Sequence, residues 1–409
     1  MRLLVVSQYF WPENFRVNDL VAELVQRGHD VTVLTGLPNY PDGEVLPAYR
    51  ADPGQYAQYA GARVVRVPLV ARGKRSIGLV LNYLSFALAG MVLGPWRLRG
   101  QPFDAIFAFQ PSPVMSALPA VVMGWFKRAP VALWVLDLWP DTLAAVGVVK
   151  SPRVLAAVGR LVSWIYRRCD LVLAQSIAFI PNIEAYARGG TCVRYFPGWA
   201  EGVILEGAQA VPCAPELATH AQAFKIVFAG NIGDSQDFPA ILDAAEALRE
   251  QAHIHWIIVG DGRAAPWVRD EIQRRGLGGS VFMMGRHPLE RMPSFFEGAD
   301  ALLVTLRKEP IFSMTIPGKV QTYLAAGRPV LGMMDGEGAR VIDASGAGWA
   351  APAGDDKALA ALVLRLSGLP SSERQAMGAR ARSYCAAEFD RTTLISRLEQ
   401  WLLAARRSG

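Results

Sequence analysis

Histidine and cysteine are scarce in this sequence: 409 residues contain five histidines and four cysteines. The cysteines are Cys169, Cys192, Cys213 and Cys385. Their wide separation gives no CxxC pair, which disfavours a thiolate zinc site or a disulfide framework and favours a reducing compartment. His253 and His255 have the spacing of two ligands on one strand, but no third ligand accompanies them. We therefore expect no metal site.

A signal peptide and a nucleic-acid motif are also missing. The opening "MRLLVVSQYF" has the pattern of a strand, without a long apolar core or a small-residue cleavage site, so a cytoplasmic protein is expected. The formal net charge is +6, but the basic residues are dispersed and no recognition helix or RNA-binding motif occurs. No nucleic-acid partner is expected, and an anionic membrane surface fits the charge better.

One long apolar run stands out. "SIGLVLNYLSFALAGMVLGPW" lies between the basic stretches "RGKR" and "RLRG" and approaches the ~20 residues that span a bilayer. A parallel α/β domain would lose a helix that it needs if this segment left it. We expect a helix partly packed on the domain, with residues 72–100 touching the inner leaflet of the cytoplasmic membrane, and a peripheral membrane protein. Whether residues 76–96 lie on the membrane or span it stays open.

Strand-like and helix-like segments alternate along the whole chain. In the first half the strand-like runs are "RLLVVS", "HDVTVLTG", "ARVVRVP", "FDAIFAF", "VALWVLD" and "CDLVLAQS". In the second half they are "FKIVFAG", "IHWIIVG", "VFMMG", "ADALLVTL", "RPVLGM" and "GAGWAAP". Such alternation predicts parallel sheets covered by helices, and the length favours two α/β domains, each Rossmann-like and doubly wound.

The domain boundary is expected in the Pro- and Gly-rich segment 194–222. We assign residues 1–197 to an acceptor-binding domain, 198–388 to a nucleotide-sugar-binding domain and 389–409 to a helix that packs back on the first domain. Ligands of open α/β sheets bind at the carboxyl ends of strands, so two such domains are expected to face each other across a cleft.

The stretch "VFAGNIGDSQDF" places a glycine turn directly after a strand. Gly230, Asn231 and Gly233 would let the backbone approach a ligand, and the helix that follows would present amides to phosphate. The alternative is an ordinary strand-to-helix turn, which also needs glycine.

Further strand ends favour the phosphate interpretation. Gly260, Asp261 and Gly262 end one strand, Arg286 follows the next, and Lys319 begins the helix that leads into "YLAAGRPV". Arg286 and Lys319 supply the charge that would neutralise a diphosphate.

These elements resemble the retaining glycosyltransferases of the GT-B fold, family four. The first half adds "YFWPENFRVNDL", "RGHDVTVLTGLPNYPDG" and "DLWPD", which look like the bacterial polysaccharide branch typified by WbuB-like transferases of N-acetyl-L-fucosamine. The resemblance implies a UDP-sugar donor, a lipid-linked saccharide acceptor, and transfer with retention and without a metal or other cofactor. The absence of any Asp-x-Asp agrees with the last point.

One departure from the family pattern concerns its pair of glutamates. Alignment on "AAGRPV" puts Met314 and Thr322 at those two positions, while Glu309 stands five residues early. Thr322 could still meet a ribose hydroxyl. Met314 cannot grip sugar hydroxyls, so we expect a deoxy or otherwise less polar donor sugar.

Acidic candidates for catalysis lie in the first half. Asp137 follows a strand and Asp141 stands one turn later; Asp137 would orient the reacting hydroxyl, or it caps the next helix. In the loop after the first strand we single out Glu13 as a further catalytic candidate and Arg16 as an anion contact. The alternative there is a solvated loop with Asn14 as a helix cap.

Two other functions remain open at this point. A sugar-nucleotide 2-epimerase would share the fold but would need more carboxylates and histidines. A non-enzymatic membrane-associated scaffold would keep the apolar segment but has no use for Arg286 and Lys319 at strand and helix ends.

Overall fold

The chain divides into two compact units. Unit 1 comprises Met1–Pro197 and Arg391–Gly409, and unit 2 comprises Gly198–Asp390. The structure is a computed structural model that describes residues 1–41, 43–73, 76–145, 147, 149–206 and 211–408. The C-terminal part of unit 1 thus begins at Arg391, where we had placed the boundary at residue 389.

Unit 1 is built on an eight-stranded sheet in the order β3-β4-β2-β1-β5-β6-β7-β8. All neighbours pair in parallel except the short β3 with β4. Runs of Val, Leu, Ile and Ala fill the central strands and are buried on both faces, as parallel sheets require. The strands are β1 Arg2–Ser7, β2 Asp30–Gly36, β3 Gln58–Tyr59, β4 Ala62–Val67, β5 Ala105–Gln110, β6 Val131–Val135, β7 Leu171–Ala174 and β8 Cys192–Tyr195.

Helices cover both faces of this sheet. Their bounds are α1 Arg16–Gln26, α2 Pro47–Ala51, α3 Ser76–Arg97, α4 Leu118–Lys127, α5 Asp141–Ala145, α6 Pro152–Tyr166 and α7 Phe179–Ala187. The connections through α3, α4, α6 and α7 all advance toward β8, whereas the connection through α1 runs the other way. Right-handed crossovers therefore put α3, α4, α6 and α7 side by side on one face and α1 on the other.

Unit 2 has a six-stranded parallel sheet in the order β11-β10-β9-β12-β13-β14. The strands are β9 Phe224–Ala229, β10 Ile254–Val259, β11 Val281–Gly285, β12 Ala301–Thr305, β13 Val330–Met333 and β14 Gly348–Ala351. Alternate residues of β9 enter different apolar clusters, Ile226 and Phe228 in one and Val227 and Ala229 in the other. The two clusters are the cores on the two faces of the sheet.

Helices α8 to α16 belong to unit 2. They are α8 Gly202–Glu206, α9 Phe238–Ala247, α10 Ala265–Arg274, α11 Met292–Glu297, α12 Pro310–Ser313, α13 Gly318–Ala326, α14 Glu337–Ser345, α15 Asp356–Ser367 and α16 Ser371–Glu388. Short 3-10 helices lie at Pro53–Tyr56, Val114–Ala117, Pro215–His220, Asp234–Gln236 and Leu289–Arg291.

The last helix, α17 Arg391–Ser408, packs against α1 in unit 1. Its buried apolar residues recur at helical spacing, with Leu394, Leu398 and Leu402 on one side. Arg27, which follows α1, donates to the Thr392 carbonyl, the Ser396 hydroxyl and the Glu399 carboxylate. The amphipathic pattern at the end of the sequence is therefore used within unit 1.

Candidate active site

The loops that follow β9 and β10 touch through their glycines. Gly230 and Gly260 have φ of 133° and 146°, a region that L side chains rarely adopt. A Cβ on Gly260 would stand 1.9 Å from the Gly230 carbonyl oxygen, and one on Gly262 would stand 2.4 Å from that of Ile232. Only glycine permits this approach, so both loops are held at the carboxyl edge of the unit 2 sheet.

The amides of these glycines are used within the protein. The Gly230 N–H donates to the Val259 carbonyl, and the Gly260 N–H donates to the Gly285 carbonyl. The Gly262 N–H donates to the Asp261 carboxylate at 2.8 Å. The three glycines thus pack the loops on one another, and their N–H groups donate to acceptors within the protein.

Asn231 and Gly233 lie in the same loop after β9. Within the described ranges no protein acceptor is found for their amides. The helix expected over "PAILDAAEALRE" is α9, which begins at Phe238, and the 3-10 helix Asp234–Gln236 lies between it and the glycine turn.

Lys319 is the second residue of α13 and its side chain reaches this loop. Its Nζ donates to Gln236 Oε1 at 3.0 Å and lies 3.5 Å from the centre of the Phe228 ring. Lys319 Cε would be 2.8 Å from a Cβ on Gly230. Burial lowers the pKa of Lys319 to about 7, because no carboxylate compensates the desolvated ammonium. An anionic ligand beside Gly230 would supply that compensation.

Arg286 follows β11 directly and is exposed. Two strand spacings separate β11 from β9, which is about 10 Å. No ion pair to Arg286 is found in the part of the chain that the structure describes. The two cations therefore stand at different points along the edge, where an extended ligand could meet both.

Thr322 lies in α13 one turn after Lys319. Its hydroxyl donates to Glu201 Oε2 at 2.6 Å and also lies 3.0 Å from the Gly318 carbonyl oxygen. Thr322 thereby brings a carboxylate to the position where the family pattern has one. Met314 ends α12 and is half-buried, while Glu309 precedes α12 and pairs with Arg307 at 3.4 Å.

Sequence reasoning missed three residues of this site: Phe228, Gln236 and Glu201. Phe228 is an ordinary strand residue and Gln236 an ordinary polar loop residue, so only the fold shows that they hold the Lys319 amine. Glu201 lies in the segment that we took for a domain boundary, and no local pattern ties it to Thr322 across 121 positions.

Asp137 lies in unit 1, two residues after β6. Its carboxylate accepts from Thr142 Oγ1 and Trp139 Nε1. Burial raises its pKa, and the hydrogen bonds from Thr142, Ser112 and Trp139 act against that rise. The side chain is thus fixed at the carboxyl edge of the unit 1 sheet.

Asp141 is the first residue of α5 and accepts from Asn182 Nδ2 at 2.7 Å. Because Asn182 belongs to α7, this bond ties two helices of unit 1 together. Asp141 therefore holds α5 and α7 together, whereas Asp137 lies closer to the end of strand β6.

Glu13 is buried in the loop after β1. Its carboxylate accepts from the backbone N–H groups of Phe10, Asn39 and Tyr40. Burial raises the pKa of Glu13 to about 7 in spite of these three bonds. The carboxylate that we proposed as catalytic therefore joins the loops after β1 and β2.

The beginning of α1 differs from the expectation. Arg16 is the first residue of the helix and not a loop residue, and the N-cap is Phe15, which has extended backbone and no side-chain cap. Asn14 is exposed and is not the cap. Arg16 is half-buried and has a polar or ring contact.

Helix α3 carries the long apolar run. Within the described residues, Gly78–Arg97 is the one stretch long and apolar enough to cross a membrane by length and composition. Buried Asn82 binds this helix to unit 1: it accepts from Gln8 Nε2 and Tyr9 Oη and donates to Asn39 Oδ1 and the Val70 carbonyl. Leaving the domain would break these bonds. Lys74 and Arg75 of the preceding basic stretch lie outside the described residues.

The histidine pair does not form a ligand set. His253 precedes β10 and His255 lies within it, with His255 Nδ1 2.9 Å from His220 Nδ1. Among the described residues no group of three or more His, Cys, Asp or Glu could hold a metal ion.

Family comparisons identify the class of protein. Residues 14–199 match the family model described as a glycosyl transferase 4-like domain, and residues 223–368 match the model described as glycosyl transferases group 1. The first match covers the strands of unit 1 from β2 to β8, and the second covers all six strands of unit 2. The chain belongs to these glycosyltransferases and is a transferase, which favours that interpretation over an epimerase or a scaffold.

Curated relatives come from bacteria. The colanic acid biosynthesis glycosyl transferase WcaI of Escherichia coli K12 is 25% identical over 344 residues, covering 80% of this chain and 82% of the relative. The glycosyltransferase WbjE of Pseudomonas aeruginosa is 28% identical over 262 residues, covering 60% and 63%.

Solved structures share the fold. The Anabaena protein HepE in complex with UDP has a TM-score of 0.71 at 14% identity, covering 99% of this chain and 100% of its own. Sucrose-phosphate synthase from Thermosynechococcus elongatus has a TM-score of 0.72 at 16% identity, covering all of both chains. The expected fold class, two parallel-sheet α/β domains of the GT-B type, is confirmed.

Proposed function

We propose that this glycosyltransferase moves a sugar from a UDP-sugar to a lipid-linked saccharide during assembly of a bacterial surface polysaccharide. The observation that carries the proposal is the Lys319 amine, held beside Gly230 at the carboxyl edge of unit 2 without a carboxylate partner among the described residues. The names of WcaI and of the amylovoran biosynthesis glycosyltransferase AmsK of Erwinia amylovora support a polysaccharide product. HepE was solved with UDP, which supports the donor.

The donor diphosphate lies along the loop after β9 in this proposal. The amides of Asn231 and Gly233 and the ammonium of Lys319 bind its oxygens, and Arg286 meets the ligand farther along the edge. These groups stabilise the charge that develops on the leaving UDP when the glycosidic bond breaks. A phosphate oxygen of the leaving group accepts the proton of the attacking hydroxyl, and transfer proceeds with retention and without a metal.

The ribose is bound by the pair of Thr322 and Glu201. A carboxylate can accept from both hydroxyls of a vicinal diol, which a threonine hydroxyl alone cannot do. The 2.6 Å bond from Thr322 orients Glu201 for that task.

The donor sugar is an amino or deoxy sugar, such as N-acetyl-L-fucosamine. Met314 supports this choice because a thioether accepts hydrogen bonds only weakly, so a sugar with fewer hydroxyls loses less on leaving water.

The acceptor is bound by unit 1. Asp137 orients the reacting hydroxyl, which its position after β6 supports. The exposed apolar side of α3 rests on the cytoplasmic face of the inner membrane and gives access to a lipid-linked substrate. The protein is therefore cytoplasmic and peripherally membrane-associated in this proposal.

The test combines a donor panel with lipid extracted from a polysaccharide-producing bacterium. UDP-N-acetyl-6-deoxy sugars are expected to yield a lipid-linked product, detected by mass spectrometry, at a higher kcat/KM than UDP-glucose. Asp137→Asn should lower kcat by about 100-fold, the order expected when a reacting hydroxyl is misplaced, and leave UDP affinity unchanged. Conversion of the sugar nucleotide without an acceptor, or no binding of any nucleotide, would contradict the proposal.

A further inference from the structure

A groove runs between α6 and α7 of unit 1, with Pro140 of the loop after β6 in its lining. It encloses about 620 Å³, within the range of ligand pockets. The helices approach closely because Gly159 faces the Tyr186 ring, where a Cβ would stand 3.2 Å from a ring carbon. Leu155 and Ala156 give the groove an apolar end.

Three arginines line this groove. Arg160 lies on the α6 face that also carries Ala156 and Ser163, and Arg167, directly after α6, extends this face, since positions 156, 160, 163 and 167 follow the helical repeat. Arg188, directly after α7, lines the other side.

The residues that line the groove include no Asp or Glu among those described. On the helices that flank it, Asp141 at the start of α5 is bonded to Asn182, and Glu184 is exposed on α7. Neither lines the groove, so its lining carries positive charge and no described carboxylate. A phosphate can accept two parallel hydrogen bonds from each guanidinium.

The surrounding surface indicates what the groove meets. Helices α3, α4, α6 and α7 form one layer: α3 packs on α4, α6 packs on α7, and Trp125 of α4 contacts Trp164 of α6 with ring centres 5.7 Å apart. No Asp or Glu occurs in α3, α4 or α6. Nine of the fifteen exposed large apolar side chains found in the described residues lie on these three helices, at positions 80, 81, 84, 88, 92, 96, 125, 126 and 154. This layer is the membrane-facing surface that the proposed function requires.

We infer that the groove of Arg160, Arg167 and Arg188 binds the phosphate headgroup of an anionic phospholipid while the apolar side of α3 enters the interface. The inference rests on the membrane association in the proposed function and adds a second contact to it. Charge complementarity selects the ligand, because the lining offers three guanidinium groups beside an apolar surface.

The experiment is co-sedimentation with phosphatidylcholine vesicles, with and without phosphatidylglycerol. The variant is the triple Arg160→Gln, Arg167→Gln, Arg188→Gln. Its control is Arg50→Gln, Arg269→Gln, Arg397→Gln, which removes the same charge from exposed positions outside the layer. Thermal unfolding of both variants shows whether they remain folded.

The groove variant is expected to bind phosphatidylglycerol vesicles more weakly, about 5-fold for each arginine and about 100-fold in total. The control variant should lose at most a few-fold, and both should bind phosphatidylcholine vesicles like the wild type. Equal losses in both variants, or a raised KM for the lipid-linked acceptor with unchanged vesicle binding, would overturn the headgroup site while leaving the transferase. A wild type that binds neither kind of vesicle would overturn both the headgroup site and the membrane association.

Discussion

The carboxyl edges of the two sheets are built by opposite means. In unit 1 buried side chains close the edge: Asn82 joins α3 to Gln8, Tyr9 and Asn39, and the Glu13 carboxylate takes three backbone amides. In unit 2 glycines close the edge, because they let the backbones of the loops after β9 and β10 come into direct contact.

This difference decides which edge suits an anion. In unit 1 the edge residues Glu13 and Asp137 are acidic, and their oxygens are engaged by neighbouring donors. In unit 2 Lys319 has a neutral amide as its partner, and its lowered pKa shows the cost of holding an ammonium there without an anion. A diphosphate would relieve that cost, which is why we propose that the donor binds to unit 2.

We expect the largest effect from Gly260→Ala, which disrupts the contact between the loops after β9 and β10. The new Cβ would overlap the Gly230 carbonyl oxygen at a φ that alanine rarely adopts, so we expect about 2–4 kcal/mol less stability in denaturant unfolding. Gly276→Ala is the control, with φ of 67° and nothing within 4 Å of the new Cβ. It should cost about 1–2 kcal/mol. Equal losses would show that contact between the loops is unimportant.

The side-chain-built edge of unit 1 is tested by Asn82→Leu. Gln8 Nε2 and Tyr9 Oη would lose the acceptor Asn82 Oδ1, and Asn39 Oδ1 would keep only the Arg72 N–H, which predicts about 2–3 kcal/mol of lost stability. UDP affinity should stay at the wild-type value because unit 2 is untouched. Ser85→Ala is the control: it removes the bond from the Val70 N–H and the bond to the Asn82 carbonyl but keeps the Asn82 side chain, and should cost about 1 kcal/mol, less than Asn82→Leu.

Removal of the unit 2 cation is the third test. Lys319→Met keeps an unbranched apolar stem over Phe228 but removes the charge, and should weaken UDP binding by about 1.5–3 kcal/mol in calorimetry. Global stability should hold or rise, because a desolvated amine leaves the interior. A variant that binds UDP like the wild type would mean that the donor lies elsewhere.

Thr322→Val gives the smallest expected effect. It keeps the side-chain shape but removes the hydroxyl that donates to Glu201, so UDP affinity should fall by about 0.5–1.5 kcal/mol. Thr191→Val removes a hydroxyl bonded to the Tyr166 carbonyl in unit 1 and should leave UDP binding unchanged. If Thr322→Val also leaves it unchanged, Glu201 does not meet the ribose.

The contrast also explains what could be predicted from the sequence. The six strands of unit 2 follow from apolar runs, and Lys319 at the start of α13 follows from the "YLAAGRPV" pattern, because these are local signals. In unit 1 the two-residue strand β3 and the exposed strand β8 were missed, since short edge strands carry little apolar pattern. The partners of Lys319 and Thr322 depend on contacts between distant segments, which no local pattern contains.

Glycine shows a different limit. The sequence correctly indicates that Gly230 and Gly260 occupy special backbone positions, yet it cannot show whether a glycine makes room for a ligand or for another loop. The packing of Gly260 on Gly230 shows that these two glycines make room for another loop. In our proposal the ligand contacts are Asn231 and Gly233 of the loop and Lys319 of α13.

The central claim, that the unit 2 edge binds the donor through a cationic Lys319, is tested most directly by UDP calorimetry as a function of pH. In the protein without UDP, Lys319 has a pKa of about 7. Above this pH the amine must therefore take up a proton when UDP binds. Wild-type affinity should therefore fall as pH rises above about 7, by up to about 10-fold per unit. Lys319→Arg keeps its charge and should bind UDP with little pH dependence in that range. A wild-type affinity that is flat above pH 7, or a Lys319→Arg variant with the same slope as the wild type, would contradict the account.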